Sequence, residues 1–331
     1  MKKPSCVICC TQFFAQTLNW LTPVLGEDQV HWYVYDFGPL SQLKRLRACF
    51  QTAYSAKQNR LDLLIANDPR ETFWCAFFAA LLGVSAKQIA CAFNFPILPS
   101  GLKRRLYTLA FAKIEQFVVY SKVEKQIYSE YFGIPLERIE VILWGVATPE
   151  VHPEAPLETG DYICAIGGNA RDYPTLIKAI EKLPEIPLVL VVRPDNLEGL
   201  IVPKNVKVLI NISPFHALNI LKYSRFTVLP LKGSQAPCGH VTLVWTMQLG
   251  KAFIITNSQG ISDYAIPNYN CLTCEPYNAD ALNEAIFTLW NDPERCQKLG
   301  ENGCDFAGKY CTAEAAQEQL QHLLLDNLGD S

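Results

Sequence analysis

Neither sign of charge prevails in this chain: 29 lysines and arginines stand against 32 aspartates and glutamates, a formal net charge of −3. Attraction of the whole molecule to nucleic acid is therefore excluded and no nucleic-acid partner is expected; only local basic patches stay open. Charged residues are few altogether, 18% against 50% apolar, which excludes a disordered chain and suits large buried sheets. Long apolar runs are missing as well. The longest, "FWCAFFAALLGVSA" at 73–86, is shorter than the ~20 residues a spanning helix needs, and Gly83 interrupts it. Cys271 and Cys274 in "CLTC" have no second CxxC and no histidine at a matching spacing, so no zinc site is expected and the thiols read as buried structural groups. Internal repeats and low-complexity tracts are absent too.

What is present is enough chain for two cores, since 331 residues exceed what one core normally serves. Thirteen cysteines, an odd number, run from Cys6 to Cys311, many inside apolar stretches such as "SCVICC". They would mispair in an oxidising compartment, so a reducing cytoplasm is expected. The opening "MKKPSCVICCTQFF" has the outline of a basic leader, but the pattern that follows needs it as a buried first strand.

Apolar runs suited to buried strands alternate with helical stretches in both halves, the signature of parallel sheets with helices on both faces. In the first half the strands are "SCVICC", "VHWYVYD", "DLLIAND", "QIACAFN", "QFVVYS" and "IEVILWG". The helices between them include "SQLKRLRACFQTAYSAKQN" and "RETFWCAFFAALLG". The pattern lapses at "GVATPEVHPEAPLETGD", where three prolines and several acids make a connector. The second half restarts with "DYICAIGG", and Ser213 before Pro214 signals the cap and first turn of a helix. The expected fold is α/β, two doubly wound Rossmann-like domains facing across a cleft, with domains at 1–150 and 151–331.

The second half carries the anion-binding pattern. After its first strand comes "GGNARDYPTL": Gly167 and Gly168 let a ligand approach backbone, and Arg171 supplies a fixed positive charge, with a plain tight turn as the alternative. Arg193 ends the strand "PLVLVVR" at the same carboxyl edge. The stretch "SQAPCGHVTLVWTMQLGK" adds a helix start, with Gly239 in its loop and His240 and Thr242 in its first turn, where unpaired N–H groups and the positive dipole end suit a diphosphate. His240 either donates to a phosphate or leaving oxygen, or caps its own helix.

In the first half, Asp68 follows a strand and serves either as base toward an acceptor hydroxyl or as the cap of the helix at Pro69. Asn94 ends the next strand, placed for sugar recognition or for a turn. Lys103, Arg104 and Arg105, interleaved with Leu102, Leu106 and Leu109, form a basic amphipathic stretch; Lys44, Arg45 and Arg47 form another. Each is a solvated helix face, or a contact for anionic lipid or a phosphorylated or lipid-linked acceptor.

The segments "YICAIGG", "RDYPTLIKAI", "GHVTLVWTMQLGKAFIITNSQGISDY" and "LWNDPERCQKLGENG" resemble the carboxyl-terminal domain of the GT-B glycosyltransferases of family 4. The first half resembles that family in plan and in "YFGIPLERIEVILWGV". The resemblance implies a hexosyltransferase that moves a sugar from a nucleotide diphosphate donor, such as a UDP-sugar or GDP-sugar, to a hydroxyl acceptor, with retention of configuration and without cofactor or metal. It implies a donor-binding second domain and an acceptor-binding first domain. Arg171 stands where the family's phosphate-binding lysine usually stands. Gly239, His240 and Thr242 lie near diphosphate and donor sugar, Asn94 replaces a histidine near the reacting centre, and Ile212 lies where the base meets backbone. Two glutamates that the family keeps eight residues apart fall on Pro237 and Trp245, so the holding of sugar and ribose differs here. A nucleotide-sugar epimerase and a degenerate binding module stand as alternatives.

Overall fold

The computed structural model describes residues 4–36, 38, 40–95, 97–151, 155–233 and 238–329. It divides into two compact units, Met1–Leu143 with Glu314–Ser331, and Trp144–Ala313.

In unit 1, β1 (Cys6–Thr11) leads through the short helices α1 (Gln12–Thr17) and α2 (Leu21–Leu25) to β2 (Val30–Tyr35). Then follow α3 (Ser41–Asn59), β3 (Leu63–Asn67), α4 (Pro69–Leu82), β4 (Lys87–Cys91), α5 (Gly101–Phe111), β5 (Gln116–Val119), α6 (Lys122–Phe132) and β6 (Ile139–Val141). The strands pair in parallel in the order β2-β1-β3-β4-β5-β6. A parallel sheet covered on both faces needs strands that are apolar throughout, and β1 is buried at every position. Its side chains alternate: Val7 and Cys9 face α3 and α4, while Cys6, Ile8 and Cys10 face the opposite layer.

Unit 2 runs β7 (Ile163–Ile166), α7 (Tyr173–Ile180), β8 (Leu188–Val192), β9 (Val206–Ile210), α8 (Pro214–Tyr223), β10 (Phe226–Leu229), α9 (His240–Gln248), β11 (Ala252–Thr256), β12 (Cys271–Cys274), α10 (Ala279–Asn291) and α11 (Pro293–Tyr310). Its sheet is also parallel, in the order β12-β11-β10-β7-β8-β9. Strand order reverses between β7 and β10 in this unit and between β1 and β3 in unit 1. Crevices at the carboxyl ends of doubly wound sheets open at such reversals.

The structure departs from the sequence reading at four points. The last helix, α12 (Ala313–Gly329), belongs with unit 1 from Glu314 onward, and the break after β6 falls between Leu143 and Trp144 rather than near 150. Leu323 and Leu324 join Cys6, Ile8 and Leu63 in one core, and Lys87 Nζ donates to the Asn327 carbonyl at 2.9 Å. The tail returns because β1 has two apolar faces and both need cover. "CLTC" is the edge strand β12, and α1 and α2 were not foreseen, being too short to show a helical period.

Gly300 of α11 sets how closely that helix approaches the sheet: a Cβ there would lie 2.2 Å from the Gly250 carbonyl oxygen, whereas one on Gly303 would meet only the flexible Met247 side chain at 3.4 Å. Gly300→Ala should therefore destabilise the protein by roughly 1–3 kcal/mol through forced displacement of backbone. Gly303→Ala should cost much less, since alanine gains helix propensity. Chemical denaturation of both variants checks this, and equal stability of the two would refute it.

Candidate functional site

The reversal point of unit 2 is built around Arg171. Residues 170–172 pair with 230–232: Lys232 N donates to Ala170 O at 3.0 Å and Asp172 N to Pro230 O at 2.7 Å. Asp172 caps α7 by accepting from Thr175 N. The Arg171 side chain is thereby turned inward and is only 6% exposed. Its Nε and Nη2 donate to Ile166 O at 3.3 and 3.2 Å, Nη1 to Asn169 O at 3.0 Å, and Nη2 to Thr242 Oγ1 at 3.3 Å.

Two glycines make room for this group. A Cβ on Gly167 would lie 2.8 Å from Nη2, and one on Gly239 would lie 3.2 Å from Nη1. Both have positive φ, 121° and 100°, a region that glycine enters without penalty. Tyr173 Oη donates to the Gly167 carbonyl and so holds the turn from behind. Arg193 lies over Gly168, where a Cβ would sit 2.7 Å from its Cδ. Its Nη1 donates to Asn169 Oδ1 at 2.9 Å. Asn196 completes the turn, accepting from Arg193 N at 3.0 Å and donating to Gly168 O at 3.0 Å.

Gly167, Gly168, Arg171, Arg193, Gly239 and Thr242 are thus brought to one rim, with Thr242 reached through Arg171. Their roles divide: Arg193 is exposed, whereas the Arg171 N–H groups mostly serve loop carbonyls. No carboxylate pairs with Arg171 among the described residues, and burial works against its charge. A buried guanidinium balanced only by dipoles favours an anion at that rim.

Three residues stand differently. His240 opens α9 but is 7% exposed, its ring tilted against Tyr264 at 4.9 Å. Burial pushes it down to about 4, against the pull of a hydrogen bond to the Gly260 backbone, so the ring is neutral near pH 7. Ile212, just before the cap Ser213, and Trp245 of α9 both pack against the cluster of Tyr162, Val189 and Leu218. One of the two positions at which the resemblance places a glutamate is therefore filled by a half-buried tryptophan; the other, Pro237, lies outside the described residues.

In unit 1, Asp68, Arg70, Asn94, Lys103 and Tyr107 line a cavity of about 210 Å³. Asp68 caps α4, its Oδ1 accepting from Arg70 N at 2.8 Å, and its φ of 84° is unusual for a residue with a side chain. The carboxylate is also gripped by the Arg70 guanidinium at 3.2 Å. Strain of this kind gathers at functional sites. Asn94 donates from Nδ2 to Glu124 Oε1 at 2.6 Å.

Glu124 is a residue that the sequence reading passed over. Fully buried, it also accepts from Tyr120 N at 2.9 Å, Ser121 Oγ at 3.2 Å and Tyr128 Oη at 3.2 Å, and Tyr128 Oη accepts from Phe95 N. Burial raises its carboxyl to about 7, with the hydrogen bonds led by Asn94 opposing. The signal was present as the capping-box pattern "SKVE" at 121–124, in which Ser121 Oγ accepts from Glu124 N while the glutamate side chain accepts from Tyr120 N. Asn169 and Asn196 were also passed over, though "GGN" and "RPDN" carry them.

The basic stretches separate. Lys103 faces the cavity, and Arg105 is exposed. Arg104 is tied to α6, donating to Tyr131 O at 2.8 Å with its guanidinium 4.1 Å from the ring. Arg45, expected on a basic face, is buried and lies 3.3 Å from Glu71 Oε1. No described helix is long and apolar enough to cross a membrane.

Residues 168–306 match the family described as Glycosyl transferases group 1. Among solved structures, a sucrose-phosphate synthase from Thermosynechococcus elongatus superposes with TM-score 0.77 at 16% identity, covering 99% of this chain and 100% of that one. A glycosyltransferase from Rickettsia africae superposes with TM-score 0.76 at 14% identity over 100% of both chains. The Anabaena HepE protein in complex with UDP-glucose gives 0.76 at 14% identity over 97% and 99%. No curated protein is detectably similar in sequence. The fold is that of the GT-B glycosyltransferases, which the chain was expected to resemble.

Replacing Glu124 by glutamine puts an N–H₂ among donors and should cost about 1–3 kcal/mol. The raised carboxyl makes Glu124 most stabilising below its ordinary value of 4.5, with that contribution lost as pH rises through about 7. The stability gap between wild type and Glu124→Gln should therefore narrow between pH 4.5 and 7 in denaturation experiments. A gap that widens over that window would contradict the assignment.

Proposed function

We propose that this protein is a retaining glycosyltransferase that moves a hexose from a nucleoside diphosphate sugar to a hydroxyl acceptor. The observation that carries the reading is the buried, carboxylate-free Arg171 at the unit 2 reversal point, with the exposed Arg193 beside it on the Gly167–Asn169 turn. The family match over 168–306 and the UDP-glucose held by the HepE structure support the same ligand class. Transfer with retention breaks the bond from the anomeric carbon to the diphosphate and forms one to the acceptor oxygen on the same face. The acceptor proton passes to the departing phosphate oxygen, so no side-chain base is required, and Arg193 and the first turn of α9 stabilise the charge that develops there.

The neutral, buried His240 acts in this reading by shaping the start of α9 rather than by donating a proton. Asp68 and Asn94 hold the acceptor in the unit 1 cavity, and neither cofactor nor metal is called for. Trp245, half-buried against the Tyr162 and Leu218 cluster, favours one alternative in particular: a chain that keeps the fold and has lost ribose binding, acting as a binding module.

The acceptor is lipid-linked in this reading, and α5 is where the protein meets an anionic bilayer. Leu102, Leu106 and Leu109 recur at helical spacing on that helix and are 72%, 46% and 70% exposed, with Lys103 and Arg105 beside them. An apolar helical stripe flanked by cations suits the interface of an anionic membrane.

Calorimetry against UDP, GDP and ADP without metal should find one binder, and Arg193→Ala should weaken it by roughly 1.5–3 kcal/mol, the range for a charge-assisted hydrogen bond. Silence with all three nucleotides would transfer the assignment to the binding module. Anionic vesicles should carry the wild type in flotation and release the Leu102→Ser, Leu109→Ser double variant; a wild type that stays in solution ends the membrane reading.

A further inference from the structure

The core of unit 1 holds a cluster of reactive groups that sugar transfer does not use. Cys9 of β1, Cys49 of α3 and Cys75 of α4 are each 0% exposed, and their sulfurs all lie within 4.8 Å of one another, with Cys9 and Cys49 at 3.7 Å. The three come from three different elements, so each position is fixed independently by the packing of α3 and α4 on the sheet.

A cation bonded to three sulfurs at about 2.3 Å holds them about 4.0 Å apart when it sits at their centre. The observed triangle is close to that size. A disulfide would instead require two sulfurs at about 2.05 Å and would leave the third without a role. We propose that Cys9, Cys49 and Cys75 form a three-sulfur site for one soft metal cation of the Cu(I) class.

The number of ligands selects the metal. No fourth histidine, cysteine or carboxylate joins the group among the described residues. Zinc in closed sites is almost always four-coordinate, whereas soft thiolate ligands select Cu(I). Binding displaces thiol protons to solvent and changes no oxidation state. With every sulfur buried, the ion enters as the chain folds or as α3 and α4 part.

Reduced full-length protein, titrated anaerobically with Cu(I) against a competing Cu(I) chelator, should retain one ion per chain. X-ray absorption should show three sulfurs at about 2.3 Å. Cys49→Ser and Cys75→Ala should each weaken retention about tenfold or more, while Cys164→Ser, at a buried thiol of unit 2, should leave it unchanged. Failure of the wild type to retain Cu(I), a two-sulfur linear spectrum, or full retention by both variants would overturn the proposal. The wild-type spectrum decides the matter even if a variant does not fold.

Discussion

A guanidinium buried without a carboxylate partner among the described residues is the constraint on which unit 2 depends. Arg171 can stay charged at 6% exposure only because Ile166, Asn169 and Thr242 surround it with oxygens. Those oxygens come from the end of β7, from the turn after it and from α9, so the cation ties together the elements on either side of the reversal point. The tie works only if Gly167 and Gly239 carry no Cβ. Dipoles compensate a buried charge incompletely, and under the proposed function the remaining positive potential is what a diphosphate would meet. The loop geometry holds the arginine, and in the proposed function the same arginine holds the rim for an anion.

The departure from the family's paired glutamates reads differently in this light. Trp245 does not point to a rebuilt polar site, for it packs with Ile212 against the Tyr162 and Leu218 cluster. A carboxylate at that half-buried place would have to be satisfied beside apolar neighbours. The tryptophan removes that demand and strengthens the contact of α9 with α8. The charge that remains at the rim comes from Arg171, Arg193 and the helix start, none of which involves position 245.

Unit 1 is organised by a buried acid instead. Glu124 accepts from Asn94, Tyr120, Ser121 and Tyr128, and Tyr128 in turn accepts from Phe95 N, so one carboxyl fixes the segment that follows β4. That segment lines the cavity shared with Asp68, whose positive φ is maintained by its own cap on α4 and by Arg70.

The alternation of strand and helix was legible from the chain alone, because strands buried on both faces must be apolar throughout and their runs stand out. α3 falls on the residues read as a helix, and β1, β3 and β8 fall on the apolar runs read as strands. Gly167, Gly168, Arg171 and Arg193 were also legible as a group, since glycine and arginine after a strand carry a local meaning. Tertiary structure alone decided the rest. It turned Arg171 inward and left Arg193 exposed, put Arg45 in the core, made His240 neutral, returned α12 to unit 1 and joined Cys9, Cys49 and Cys75. Each of these depends on which groups meet across long sequence separations. A pattern with periods of two and 3.6 residues fixes which side of an element is apolar, and contains nothing about what stands opposite.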